Sequence, residues 1–271
     1  MKGREMSKEL VQQQFGANAA AYLTSTVHAK GASLARLVEL VGPKSDWIAL
    51  DVATGAGHTA AVFAPHVAKV VASDLTPQML EQVRTLAAEK DLRNMETAIA
   101  DAEALPFPDG SFDLVTCRIA PHHFPSIETF LREVRRVLKP GGTFALVDNV
   151  SPDAETTPGF SAGELQDAGA AYNAFEKLRD PSHGRALDTA EWLSLMSKAG
   201  LVLVHREHAP KAMDFQSWVK TMKVPADTVP RLAAMLDDAS PALKAFLKPT
   251  NEDGERGFTL DELIAIARRP D

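Results

Sequence analysis

The chain has 271 residues, 45% hydrophobic and 24% charged, which fits one large globular domain and excludes a disordered chain. Its 29 Lys and Arg against 36 Asp and Glu leave a formal net charge of −7, a poor match to phosphate backbones, so no nucleic-acid partner is expected. The single cysteine, Cys117, excludes an intramolecular disulfide and a cysteine-rich zinc site and points to a reducing compartment. No stretch nears the ~20 apolar residues that span a bilayer. The polar start, Met1 to Glu5, lacks the apolar core of a secretory signal, so a cytoplasmic protein with no integral membrane segment is expected.

Leu34, Leu37, Val38 and Val41 recur at helical spacing and predict a helix ended by Gly42 and Pro43. Trp47 to Ala53 is a short apolar run that reads as a buried strand, and Lys69 to Asp74 reads as a second. Thr76 and Pro77 open a helix with a buried stripe of Met79, Leu80, Val83, Leu86 and Ala87. Thr97 to Ile99, Phe112 to Cys117 and Thr143 to Val147 predict three more strands. A helical stripe of Phe130, Leu131, Val134, Val137 and Leu138 separates the last two, and Pro140, Gly141 and Gly142 stop it. Strands alternating with helices imply right-handed parallel crossovers. Beyond residue 150 the pattern loosens. Asp188 and Glu191 resemble a capping box ahead of Trp192, Leu195 and Met196. Residues 201–205 and 262–267 predict the last two strands, and residues 212–248 look helical.

The most informative stretch is Leu50-Asp51-Val52-Ala53-Thr54-Gly55-Ala56-Gly57, a glycine-rich turn between the first buried strand and a helix. Glycines allow a ligand close to the backbone, at the carboxyl ends of strands where open α/β sheets bind ligands. The plainer reading is a tight strand-to-helix turn. Asp74 ends the second strand about 20 residues on, where a carboxylate accepts hydrogen bonds from ribose hydroxyls. Together these predict an adenosine-containing cofactor without saying which.

Three further stretches discriminate: Ala100-Asp101-Ala102-Glu103-Ala104-Leu105-Pro106-Phe107 leading into Asp109-Gly110-Ser111-Phe112-Asp113; Arg118-Ile119-Ala120-Pro121-His122-His123-Phe124; and Arg136-Val137-Leu138-Lys139-Pro140-Gly141-Gly142. In this order they resemble the class I S-adenosylmethionine-dependent methyltransferases, in particular the branch holding the ubiquinone/menaquinone biosynthesis C-methyltransferases. The resemblance covers roughly residues 10–150 well and the rest loosely. It implies an α/β fold: a Rossmann-like, mostly parallel seven-stranded sheet with helices on both faces and helical lid insertions. It also implies one domain over 1–271, with an N-terminal helical cover (1–45), a cofactor core (46–150) and lid insertions at 151–187 and 212–250. By the same resemblance Asp51, Ala53, Thr54, Gly55 and Gly57 wrap the methionine part of S-adenosylmethionine, and Asp74 binds the ribose. Leu75 lies against adenine, Asp101 reaches its amino group beside the Ala102 backbone, and the Arg118 backbone lines the methionine pocket. Tyr22, in a stretch from Phe15 that resembles the family's helical cover, packs over the cofactor. Ala53 departs from the pattern, since many members carry glycine there.

Methyl transfer asks the protein mainly for alignment and exclusion of water, which can be worth ~7–11 kcal/mol. A base is needed where the acceptor must lose a proton. His122 and His123, just past the fourth strand, are the candidates; the plainer reading has one packing on the cofactor and the other capping a helix. No Asp, Glu or His spacing completes a metal site with them. Asn173, Glu176, Arg179, Asp180, His183 and Arg185 form a polar cluster. Asn173, Arg179, His183 and Arg185 are the expected acceptor contacts, against the plainer reading of a solvated helix face. Trp192, Trp218 and Cys117 read as core. The expected partner is a small-molecule methyl acceptor, at carbon or oxygen by preference, and a homodimer is left open. An NAD(P)-dependent oxidoreductase shares the turn and the ribose acid, and Ala60 even supplies its third small residue. Neither Tyr22 nor Tyr172 has a lysine four residues on, however, and the three later stretches go unexplained. A non-catalytic S-adenosylmethionine-binding protein is the other alternative.

Overall fold

The computed structural model describes residues 8–16, 19, 32–252 and 254–271. Residues 8–16 are helical (α1). The chain continues through α2 (Ala32–Val41), β1 (Ile48–Val52), α3 (His58–Phe63), β2 (Lys69–Asp74), α4 (Pro77–Glu89), β3 (Met95–Ile99), β4 (Phe112–Arg118), α5 (Ile127–Val137) and β5 (Leu138–Asn149). Then come α6 (Ala162–Arg179), α7 (Thr189–Lys198), β6 (Val202–Asp214), α8 (Phe215–Thr221), α9 (Val229–Asp237), α10 (Pro241–Leu247), β7 (Thr250–Glu252) and β8 (Glu255–Arg268).

Seven strands form a continuous sheet in the order β3-β2-β1-β4-β5-β8-β6, and short β7 pairs with β8 off this path. The contacts from β3 to β5 are parallel, whereas β8 runs antiparallel to both β5 and β6. The strand order reverses beside β1, with Asp51 opposite Ala72 of β2 on one side and Thr116 of β4 on the other. A crevice opens at the carboxyl ends of parallel strands at such a reversal.

Alternate residues of each central strand serve opposite cores, because successive side chains point to opposite faces. Leu50, Val115, Phe144 and Leu146 join Phe130, Val134, Trp192 and Met196 of α5 and α7 on one face. Ala49, Leu114, Ala145 and Val147 join Leu37, Phe63, Leu80 and Val83 of α2, α3 and α4 on the other. A third cluster packs Tyr172 and Phe175 of α6 with Trp218, Leu232, Leu243 and Phe246 of α8 to α10 and with Phe258 and Leu260 of β8. Trp192, Trp218 and Cys117 are all buried.

Sequence reading misjudged several boundaries. Pro140 to Gly142 lie within the span of β5. β6 runs well past residue 205 and takes in 212–214, because it is paired along its whole length with β8, out to Asp214 opposite Gly257. The predicted helical stretch therefore starts as strand and breaks into three helices. Thr76 occupies the N-cap of α4 but its side chain makes no capping bond. At α7 the capping box is complete, with Asp188 and Glu191 each bonding the other's backbone. Among the described residues no helix is long and apolar enough to cross a membrane.

Candidate functional site

The turn after β1 is fixed from beneath. Asp51 is buried, with Oδ1 accepting from Thr116 Oγ1 (2.6 Å) and Oδ2 accepting from Thr54 Oγ1 (2.5 Å) and the Ala60 amide (3.2 Å). Burial pushes this carboxyl up to about 6, against the pull of the Thr116 and Thr54 hydroxyls. The backbone turns through the left-handed region at Ala53 (φ 52°), Gly55 (φ 56°) and Gly57 (φ 89°). A side chain there is strained by roughly 1–2 kcal/mol, which Ala53 bears in place of the usual glycine. At Gly57 a Cβ would also stand 3.1 Å from Val83 Cγ2, so glycine lets α4 pack against the turn.

Asp74, at the end of β2, accepts from the Gly55 amide (2.9 Å) through Oδ2 and the Thr76 amide (2.8 Å) through Oδ1. Burial raises its carboxyl above the usual range although those amides pull it down. Asp101 accepts from the Glu103 amide (2.9 Å) and pairs with Lys8 Nζ (2.6 Å), which also reaches Glu103 (2.7 Å). Gln12 Nε2 donates to the Leu75 carbonyl (2.9 Å). Lys8, Val11 and Phe15, one face of α1, thus stand on the rim of a cavity. Its walls include Ala53, Thr54, Gly55, Thr59, Asp74, Leu75, Met79, Asp101, Ala102 and Arg118, then Ile119, Ala120, His123, Phe124 and Pro125. Of the residues expected at a cofactor, Asp51 and Gly57 support the turn without lining the cavity, and Tyr22 lies outside the described residues.

His123 lines the cavity; His122 does not. His122 Nδ1–H donates to Asp148 Oδ1 (2.6 Å) and its backbone amide to Asp148 Oδ2 (3.0 Å). Burial pulls this imidazole down, but the Asp148 charge and hydrogen bond outweigh it and hold it above its ordinary value. His123 Nδ1–H donates to the Ser182 carbonyl (3.1 Å), and its ring meets Phe15 edge-on at 5.1 Å. Burial, then the neighbouring His122 charge 4.2 Å away between ring centroids, drive His123 down to about 3.

None of the four expected acceptor contacts lines the cavity. Asn173 Oδ1 accepts from His183 Nε2 (2.9 Å) and the Ala186 amide (2.7 Å), behind the two histidines. Arg179 lies over the Trp218 ring at 4.6 Å. Arg185 is exposed and bound to Glu191 (2.6 Å). The cluster is not a solvated face throughout: Glu176, Asp180 and His183 are buried. Two groups of this site went unread in the sequence. Lys8 and Val11 sit at helical spacing ahead of Phe15, where the expected cover begins, a signal that was available, and Asp148 lies one residue past the predicted end of the fifth strand.

A methyltransferase-domain family matches residues 50–146. The chain is 34% identical over 242 residues to the uncharacterized methyltransferase YcgJ of Bacillus subtilis, covering 89% of this chain and 91% of that one. The chain belongs to the class I S-adenosylmethionine-dependent methyltransferases. A demethylmenaquinone methyltransferase of Deinococcus radiodurans is 42% identical over 106 residues, 38% of this methyltransferase and 43% of that one. The crystal structure of a Bacillus halodurans protein assigned to methyltransferases superposes with a TM-score of 0.80 at 36% identity, covering 89% of this chain and all (100%) of that one. The donor set fits the family's cofactor. Acids for hydroxyl and amino groups stand at the β2 and β3 ends, and Thr76 Oγ1 and Glu103 Oε1, both from cavity-lining residues, are buried without a hydrogen-bond partner among the described residues.

Proposed function

We propose that this methyltransferase methylates a small organic acceptor, at carbon or oxygen by preference, in the cavity at the β1/β4 reversal. The observation that carries this is the cavity's division. Asp74 and Asp101 lie at one end; Phe15, Ile119, Phe124 and Pro125 form an apolar wall at the other, broken by His123. Lys8, on the rim, is committed to Asp101 and Glu103, and Arg118 lines the β4 side beside that wall with its Nε–H on Thr59. Asp74 would hold the ribose, Leu75 and Ala102 the adenine, Asp101 its amino group, and Ala53 to Gly55 the methionine part. The cofactor supplies an electrophilic methyl group on a sulfonium.

The chain's residues orient and shield. Val11 and Phe15 would keep water from the reacting centre. His123 stays neutral, and with Nδ1–H held by Ser182 its Nε2, 4.0 Å from Asp180 Oδ2, is the nitrogen that would accept from an O–H or acidic C–H. So weak a base orients the acceptor and suits one whose proton is already acidic. His122, tied to Asp148, supports His123 from behind. Residues 1–45, 151–187 and 212–250 would roof and buttress this core, and a reducing, cytoplasmic setting fits the lone thiol. Calorimetric titration with S-adenosylhomocysteine, with NAD and NADP as controls, tests the cofactor half. We expect binding of S-adenosylhomocysteine alone, weakened at least ~100-fold in Asp74→Ala by the loss of two charge-assisted hydrogen bonds. Nicotinamide binding, or no change in Asp74→Ala, would refute the assignment. A panel of neutral phenols, enols and activated methylenes against labelled cofactor tests the acceptor half.

A further inference from the structure

The ends of α5 and α7 meet where β4 and β5 begin, at the opposite end of the parallel strands from the cavity and roughly 20 Å from it by the length of β4. They frame a groove lined by Arg132, Arg135 and Arg136 of α5, Lys198 at the end of α7, Arg269 after β8 and Asp109 before β4. Asp109 bonds Arg136 (2.8 Å), which also holds Glu133 (2.7 Å). Arg132 donates to Thr129 Oγ1 (3.1 Å) and lies 4.0 Å from Glu128. Arg269 uses Nη1 alone, on the carbonyls of Arg135 (3.1 Å), Arg136 (3.3 Å) and Leu138 (2.5 Å). Arg135 and Lys198 are exposed, and among the described residues their side chains have no hydrogen-bond or ion-pair partner. Three cationic heads, Arg135, Lys198 and Arg269, thus share a floor of Ala199 and Gly200 with the one lining carboxylate already engaged, in a chain of net charge −7. Other surface arginines are matched with acids: Arg36 with Glu207, Arg206 with Glu155 and Arg256 with Asp237.

Basic side chains near helix C-termini offset the macrodipole, which is the plainer account of such a cluster. Here Arg269 already bonds the last carbonyls of α5, and α7 is closed by main-chain bonds from Gly200 to Ser197 and from Leu201 to Met196. Arg135 and Lys198 are left over. A Cβ at Gly200 would stand 2.9 Å from Arg135 Nε, so glycine lets the guanidinium lie across the floor of the groove. We infer that this groove binds a compact phosphate group, a phosphomonoester or pyrophosphate, on Arg135, Lys198 and Arg269. Guanidinium forks match phosphate oxygens in geometry as well as charge. Exposed single ion pairs are weak, so the occupant must carry at least two negative charges on neighbouring oxygens. The groove is remote from the S-adenosyl cavity, so this group is neither cofactor nor acceptor, and the inference does not rest on the reading of that cavity.

The full-length chain is titrated calorimetrically with inorganic pyrophosphate at low salt, alone and saturated with S-adenosylhomocysteine. It should bind at one site in both states and several-fold more weakly at physiological salt. Arg135→Gln combined with Lys198→Gln should bind at least ~10-fold more weakly. Its urea midpoint should stay put, because neither side chain has a partner to lose. Lys220→Gln combined with Arg231→Gln removes the same charge from α8 and α9 and should bind like the wild type. Flotation with phosphatidylcholine vesicles, with and without phosphatidic acid, separates the two sources of the group. Capture by phosphatidic acid that the Arg135/Lys198 variant loses assigns a lipid headgroup; pyrophosphate binding without capture assigns a soluble ligand. A wild-type chain that neither binds pyrophosphate nor floats overturns the inference. So does binding that the Arg135/Lys198 variant retains, that the α8/α9 variant loses equally, or that S-adenosylhomocysteine displaces.

Discussion

Replacing His183 with glutamine should change how the fold responds to acid. Burial, and then the charges of His122 and His123, keep His183 free of its proton down to about 2. In the unfolded chain the same imidazole titrates near 6.5. Below that pH the unfolded state binds the extra proton and the folded state does not, so stability present above about 6.5 is lost as pH falls. The loss approaches ~1.4 kcal/mol per pH unit, about 2 kcal/mol between pH 6.5 and 5, against a total of roughly 5–15 kcal/mol for a typical fold. Glutamine does not titrate and still offers an N–H toward Asn173 Oδ1. The assay is urea unfolding followed by tryptophan fluorescence at half-unit steps over that range, with Trp192 and Trp218 as buried reporters. His122 contributes with the opposite sign: raised by Asp148, its stabilisation is complete below 6.5 and fades as pH rises. Asp51, pushed up to about 6, takes up a proton in the folded state first and so also stabilises toward acid. Both are common to the two proteins and cancel in the difference. The wild-type chain should lose about 2 kcal/mol more than His183→Gln over this interval. Parallel slopes would refute the picture of a buried, proton-free His183.

Two further outcomes follow from the turn and from β4. Gly57→Ala should lower the unfolding free energy by about 3 kcal/mol, combining left-handed strain with the collision against Val83. Gly55→Ala should cost only about 1 kcal/mol, because open space surrounds Gly55 at φ +56°; matched urea midpoints for the two would disprove the distinction. Cys117 is fully buried, and burial, followed by the charges of Asp51, Asp148 and Asp74, pushes its thiol well up. It should ignore Ellman's reagent in the native chain and titrate as one thiol in urea; a rapid native reaction would contradict the placement of β4.

The sheet was legible from β1 to β5, most clearly in β1, β2, β4 and β5, which are largely buried on both faces. Their sequences are short apolar runs bracketed by breakers such as Gly42-Pro43 and Pro108-Asp109-Gly110. β6 was legible only over 201–205, since Pro210, Lys211 and Asp214 carry no strand periodicity and are extended by their pairing with β8. The glycine turn and the acids beside it were readable because backbone geometry and carboxylates leave a sequence mark in Gly55, Gly57, Asp74 and Asp101. The cluster from Asn173 to Arg185 was not. A sequence rich in polar residues reads as solvated, whereas here Asn173 with His183, and Ser182 with Asp180, satisfy one another inside. Pairing over such separations is a tertiary fact that composition does not carry.

The His122 carbonyl accepts from the amides of both Gly184 and Arg185 at 2.9 Å. The segment after β4 is thereby stapled to the insertion through main-chain atoms, which any residue other than proline can supply. Side chains of the insertion are then free to diverge without unfastening it, and selection could reshape the acceptor wall while the cofactor end stays put. The staple constrains one identity, at Gly184, where a Cβ would stand 2.9 Å from that same carbonyl oxygen.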